Sequence, residues 1–315
     1  MILTGIGDEG ANSIDGQIHV TRELGWRYLE PRNVEVPGYT KANFHDIPDA
    51  AFDIAIKKLE AGNVGVHCFG STIMNWAKKV DDPFEITMAE VKRAIPRMKR
   101  AGAKYIRIMS FKPGDDEYRI PTQVFRRVKD VTNMFLDAGL QPVHENCMNY
   151  GGMSWQHAIE LLDKCPGLKW VFDTANPILN PDRSKPKPWP RQDPWEFWEH
   201  VCDHVAHIHI KDVIWNSVKN DAEYKWPGEG HGRVRDILAD AFNRGYDAGI
   251  SIEPHMIVVF HDTQSKTGNE ETMQMNYIQY GRLLEKMIGE IRRENETGSK
   301  PQLTGASSLS RRDSR

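Results

Sequence analysis

Four residues in the second half of the chain have the types and spacing to hold a metal ion. Glu145 ends the run QPVHE, Asp173 ends KWVFD, His209 lies in AHIHIKD and Glu253 in GISIEPH. Each stands at or near the C-terminal end of a short apolar run, and the intervals match one strand–loop–helix unit plus insertions. Four consecutive strands delivering Glu, Asp, His and Glu to one rim would build an open site for a hard cation. Three carboxylates and one imidazole suit Mn²⁺ best, with Mg²⁺, Co²⁺ or Zn²⁺ possible. The remaining positions would go to water or to neighbouring hydroxyl and carbonyl oxygens of a polyol. Any one of these residues alone reads as a rim carboxylate or a satisfied core histidine. Four at equivalent strand ends weigh against that reading.

Elements that could position them run through the whole chain as apolar runs alternating with helical-period segments. Strand patterns fall at Ile2–Ile6, Trp26–Glu30, Val64–Phe69, Tyr105–Met109, within Gln141–Cys147, and at Leu168–Phe172, Val205–Ile210 and Ile250–Glu253. Helical patterns fall between them at Ile14–Leu24, Ile47–Ala61, Phe84–Arg100, Val124–Ala138, Ser154–Cys165, Trp195–Cys202 and Val234–Gly245, with a last one at Glu270–Arg293. Eight such pairs without a composition shift predict an α/β fold, a single-domain (β/α)₈ TIM barrel over residues 1–293. A doubly wound sheet is the alternative, but no GxGxxG follows the first strand. Residues 294–315 are polar and Ser-, Gly- and Arg-rich and read as a disordered tail. Two long loops, Asn176–Pro194 and Trp215–Gly232, are expected to cover the site; the first, rich in proline, reads as extended.

Within AHIHIKD, strand alternation puts His207, His209 and Lys211 on one face. His209 is nearer the rim and is the expected ligand, with His207 deeper. Lys211 could reach a substrate oxygen or form a rim salt bridge. The 315 residues carry a net charge of −3, which gives no basic field for nucleic acid or anionic membrane. Four cysteines form no CxxC pair, which suits a reducing compartment, and the N-terminus shows no signal-peptide pattern. No apolar run is long enough to span a bilayer, so a cytoplasmic protein, with a homo-oligomer possible, is the expectation.

PVHEN, VFDTAN, HIHIKD and SIEPH, in this order, resemble the xylose isomerase-like TIM-barrel superfamily, the sugar phosphate isomerase/epimerase family. The resemblance runs from the first strand to about Arg293 and is strongest in the second half. It implies that Glu145, Asp173, His209 and Glu253 hold a divalent metal. It also implies that Glu145 and Glu253 form an acid/base pair on opposite sides of a carbohydrate substrate. The implied activity is sugar isomerisation or epimerisation by proton transfer through a metal-stabilised enediolate.

Two positions depart from the family's epimerases. Asn176 stands where they carry a substrate-binding His, and Trp215 lies where they carry an Arg. A related lyase acting on 3-keto-glycosides is therefore the alternative. An endonuclease IV-like phosphodiester hydrolase ranks lower, since it needs more histidines and a basic face. A non-catalytic binding barrel is a third class, disfavoured by the intact ligand set. His144, beside Glu145, could serve as a base or be a buried hydrogen-bonded histidine. His67, Asn176, Lys211 and Trp215 are the expected substrate contacts, with core or loop packing as the bland reading of each. WPGEGHG could cradle a phosphate through its backbone, on weak evidence from three glycines.

Overall fold

A computed structural model describes residues 1–256 and 269–297. Thirteen strands and nine α-helices, with three short 3-10 turns, follow one another among these residues. The strands are β1 (Ile2–Gly5), β2 (Tyr28–Leu29), β3 (Asn33–Val36), β4 (Tyr39–Asn43), β5 (Gly65–Val66), β6 (Cys68–Phe69), β7 (Tyr105–Ile108), β8 (Gln141–Glu145), β9 (Lys169–Asp173), β10 (Val205–Ile210), β11 (Asp212–Asn216), β12 (Asp221–Lys225) and β13 (Gly249–Ile252). The helices are α1 (Ile14–Glu23), α2 (Asp49–Ala61), α3 (Phe84–Ala101), α4 (Thr122–Asp137), α5 (Trp155–Lys164), α6 (Asn176–Leu179), α7 (Pro194–Val201), α8 (Val234–Asn243) and α9 (Glu270–Thr297).

Seven strands form one parallel sheet in the order β1-β13-β10-β9-β8-β7-β6. The gap between its two edges is closed by β2, which pairs with β5 and reaches β1 through Glu30 N–H to Gly5 O at 3.0 Å. His67 N–H donates to Leu29 O on the other side at 3.0 Å. The result is the expected closed barrel, with its second and third strands shortened and the third broken at His67. Alternation then sorts the side chains. Trp170, Phe172, Ile208, Ile210, Ile250 and Ile252 join the large core under the helices, whereas Val143, Val171 and Cys68 form a small separate cluster.

Local signals set the helix ends. Ser13 caps α1 by accepting from Gly16 N–H, and Asp193 caps α7 by accepting from Trp195 and Glu196 N–H. Gly102, at φ +67°, closes α3 in the left-handed conformation that glycine adopts without steric cost. Helix α9 runs to Thr297, so its last turn extends past the boundary expected at Arg293. Residues 298–315 of the expected tail lie outside the described residues. The loop read as wholly extended begins instead with the short helix α6, whose first N–H groups are held by Asp173. The second long loop is mostly an antiparallel hairpin, β11–β12.

Candidate metal centre

Pairing register brings the four candidate ligands to one level. His209 on β10 is the register partner of Asp173 on β9, and Ile210 that of Ile252 on β13, so Glu253 lies one step beyond. Glu145 ends β8. One ligand atom from each of Glu145, Asp173, His209 and Glu253 lies within 4.8 Å of the other three, and all four residues are buried.

The second atom of each group is held from outside the cluster. Asp173 Oδ1 accepts from Ala175 N–H at 2.9 Å and Asn176 N–H at 2.7 Å. Arg32 Nη1 donates to Glu253 Oε1 at 2.6 Å, and Arg107 Nη1 to Glu145 Oε2 at 3.0 Å. His209 Nε2–H donates to Glu30 Oε1 at 3.2 Å. That bond leaves Nδ1 as the ring atom facing the cluster, the one a metal would take. His209 Nδ1 and Asp173 Oδ2 are buried and accept no hydrogen bond, although Lys211 Nζ lies 3.1 Å from Asp173 Oδ2. Two inner atoms without a hydrogen bond, one of them paired only with an ammonium, fit a divalent cation.

Electrostatics point the same way. Burial works against ionising Glu145, but Arg107 and His209 outweigh it and draw the carboxyl down to about 2. For Glu253, burial is likewise overcome, by Lys211, His255 and Arg32, and the group is held well below the usual range. Burial pushes Asp173 up to about 6 despite Lys211. His209 is raised to about 10, because Glu30 and Glu145 overcome burial. At neutral pH the ring is then a cation, whose Nδ1 proton a metal would displace.

The other expected site residues divide. Asn176, Lys211 and Trp215 line a cavity of about 370 Å³ above the cluster, together with Arg32, Arg107, Glu145, Glu253 and His255. Asn176 Nδ2 donates to Glu145 Oε1 at 3.2 Å, and the Arg191 guanidinium stacks 3.6 Å over the Trp215 ring. Leu179 of α6 and Asn220, Asp221 and Ala222 of the hairpin complete one wall, so both long loops reach the site as expected.

His144 and His67 do not line this cavity. His144 is one residue from Glu145 and so faces outward, stacked on Trp170 at 4.7 Å and bonded to Ser110 Oγ at 3.0 Å. Burial lowers it to about 3, which leaves a neutral structural ring rather than a base at the rim. His67 sits deep, its ring 5.1 Å from that of His207 and 5.4 Å from that of Tyr105, at the strand break. His207 is the deeper histidine, as alternation requires, and contacts Glu30 Oε2 at 2.7 Å. The WPGEGHG backbone is already engaged: Gly228, Gly230 and Gly232 N–H all donate to the Asp212 carboxylate. A phosphate would find those donors taken.

Sequence reading missed Arg32, Arg107 and Glu30. Alternation could have found Arg107, since its neighbours Ile106 and Ile108 face the helices; Glu30 closes the second strand pattern as the four ligands close theirs. Arg32, also held by Asp8 and Glu9, lies beyond a strand end, where period no longer predicts direction.

A closed (β/α)₈ barrel with three carboxylates and an imidazole at the C-terminal ends of its last four strands defines a class whose chemistry sits at that rim. The chain belongs to the xylose isomerase-like TIM barrel family, whose model matches residues 18–275. Solved structures share the fold at low identity. A D-tagatose 3-epimerase-like protein superposes at TM-score 0.68 with 13% identity, covering 94% of this chain and 100% of the other. A probable 3-DHS dehydratase from Bacillus anthracis gives 0.65 and 12%, covering 90% and 99%. A xylose isomerase-like TIM barrel protein from Mycobacterium smegmatis, in complex with magnesium, gives 0.62 and 15%, covering 91% and 97%. No curated protein sequence matches the chain. No helix among the described residues is long and apolar enough to cross a membrane.

Proposed function

We propose that the protein is a divalent-metal-dependent sugar isomerase or epimerase. The supporting observation is that Glu145 and Glu253 each have one carboxylate oxygen tied to an arginine and the other turned toward the four-ligand cluster. Glu145, Asp173, His209 and Glu253 would hold the ion, with Mn²⁺ the best match and Mg²⁺, Co²⁺ or Zn²⁺ also suited. Bound there, the ion supplies polarisation of adjacent carbonyl and hydroxyl oxygens of a sugar. One glutamate would take the proton from the hydroxyl-bearing carbon beside the carbonyl, giving an enediolate; the other would return one, to the opposite side of the same carbon in epimerisation or to the former carbonyl carbon in isomerisation. Proton transfer by a positioned carboxylate contributes roughly 10²–10⁴-fold. Arg107 and Arg32 keep both glutamates ionised and fixed in rotamer. Asn176, Lys211 and Trp215 contact the substrate.

A cavity of about 370 Å³ suits a small carbohydrate rather than a nucleic acid duplex. A second hollow of about 200 Å³ shares Cys147, Met148 and Leu179 with it and is walled by Met153, Pro113 and Pro181. Lys112, Asp115, Asn149, Asn180 and Arg183 also line it, and this mixed annex favours, as a second reading, a lyase acting on a 3-keto-glycoside whose aglycone occupies it. Expression in the cytoplasm and, as an option, self-association complete the proposal.

The test is a panel of free ketoses, inositols and keto-glycosides with Mn²⁺-loaded protein in D₂O. Solvent deuterium at the reacting carbon of recovered sugar supports isomerisation or epimerisation, and release of an aglycone supports the lyase. Turnover of a sugar without deuterium wash-in refutes proton exchange by the glutamates.

A further inference from the structure

We propose that Lys211 and a divalent ion compete for the same two oxygens, and that the ammonium turns to the substrate when the ion binds. The inference rests on the metal-dependent reading above.

Its ground is which oxygens Lys211 touches. Each carboxylate has an outer oxygen already satisfied: Asp173 Oδ1 by two backbone N–H groups, Glu253 Oε1 by Arg32. The inner oxygens are Asp173 Oδ2 and Glu253 Oε2, the latter 3.9 Å from His209 Nδ1. Lys211 Nζ lies 3.1 Å from both. Arg107 and Arg32 hold outer oxygens and can stay where they are. The Lys211 ammonium instead stands against the pair of atoms the ion requires.

Metal–oxygen distances of about 2.0–2.2 Å would bring a divalent ion on these oxygens within about 4–5 Å of the ammonium. Two cations at that range in a buried, poorly screened site repel strongly. The Lys211 main chain is pinned, its N–H to Thr174 Oγ1 at 3.1 Å, so the flexible stem is what can yield. The open direction is the cavity that Lys211 already lines beside Asn176 and Trp215. There the ammonium would meet a substrate oxygen, where it can stabilise negative charge that develops as the carbon acid loses its proton.

Lys211→Met keeps the stem and removes the charge. Mn²⁺ is titrated calorimetrically into chelator-treated wild type and variant. The expected result is at least tenfold tighter binding by the variant, with a larger rise in Tm on adding metal. Equal or weaker binding overturns the proposal and makes Lys211 a brace for the ligands. Should the variant not fold, the wild type decides: acetic anhydride labelling of Lys211, read by peptide mass spectrometry with and without Mn²⁺, should rise several-fold with metal. Unchanged or reduced labelling overturns the competition. If Mn²⁺, Mg²⁺, Co²⁺ and Zn²⁺ all fail to bind wild type, the metal-dependent reading falls and this inference with it. Metal binding by wild type with no effect of Lys211 defeats the inference alone.

Discussion

Glu30→Gln tests the centre through a residue that touches no substrate. The buried Glu30 carboxylate accepts from His207 Nε2 at 2.7 Å and from His209 Nε2 at 3.2 Å. Burial opposes its charge, but the two histidines prevail and hold it well below the usual carboxylate range, so it is an anion with two acceptors. Glutamine keeps one acceptor oxygen and gains an NH₂ donor. His207 Nδ1 donates to Gly249 O, so once the anion is gone its Nε2 can accept from that NH₂ while the amide oxygen keeps the His209 bond. What is lost is the negative charge that makes His209 a basic, well-oriented ligand. Loss of a carboxylate behind a metal-bound histidine typically costs 10–100-fold in affinity, or about 1.4–2.8 kcal/mol. Calorimetric titration of Mn²⁺ into chelator-treated wild type and variant measures it, with circular dichroism to confirm folding. A folded variant that binds Mn²⁺ within threefold of wild type would refute the assignment of His209 Nδ1 as a ligand.

Glu253→Gln should depress turnover of any active sugar by roughly 10²–10⁴-fold while some metal remains bound; full activity with metal retained removes it from proton transfer. Asp212→Ala strips an acceptor from Val213, Gly228, Gly230 and Gly232 N–H and should cost about 3 kcal/mol or more in urea denaturation, against no change if water replaces the carboxylate fully. Burial chiefly lowers His67 from 6.5 to about 4, so the folded state resists a proton that the unfolded chain accepts. Its contribution to stability is therefore full above pH 6.5 and is lost as pH falls toward 4, up to about 3 kcal/mol. His67→Gln should flatten the loss between pH 7 and 4.5, and an unchanged slope would contradict this. Chelator treatment should lower Tm and added Mn²⁺ restore it in a concentration-dependent way; a Tm indifferent to both would speak against the centre.

Much of the barrel was legible because its signals are local. Apolar runs of strand length, helical period between them and capping residues such as Ser13 and Asp193 act within a few positions of themselves. The same locality made Glu145, Asp173, His209 and Glu253 readable, since each closes a run. It also held the answer for His144: applied as it was to His207 and His209, alternation sets adjacent Glu145 and His144 on opposite faces.

Other features depend on distant partners. The depth of a side chain in the barrel follows from stagger between paired strands, which no single strand encodes. His67 lies in the strand pattern Val64–Phe69, two residues short of its end, yet the break before Cys68 and the pairing of β6 with β7 set it beside His207, well below the rim. Arg32 and Arg107 come from the loop after the second strand and from the fourth strand, and fold closure alone aims them at carboxylates on β8 and beyond β13. The GEG loop shows the same dependence: its N–H groups look available to a phosphate until Asp212, distant in sequence, is found accepting them. Sequence determined which groups reach the rim, because strand period and strand ends are short-range properties. Only the tertiary structure decided which atom of each group faces the centre, because that depends on hydrogen bonds from residues up to 221 positions away.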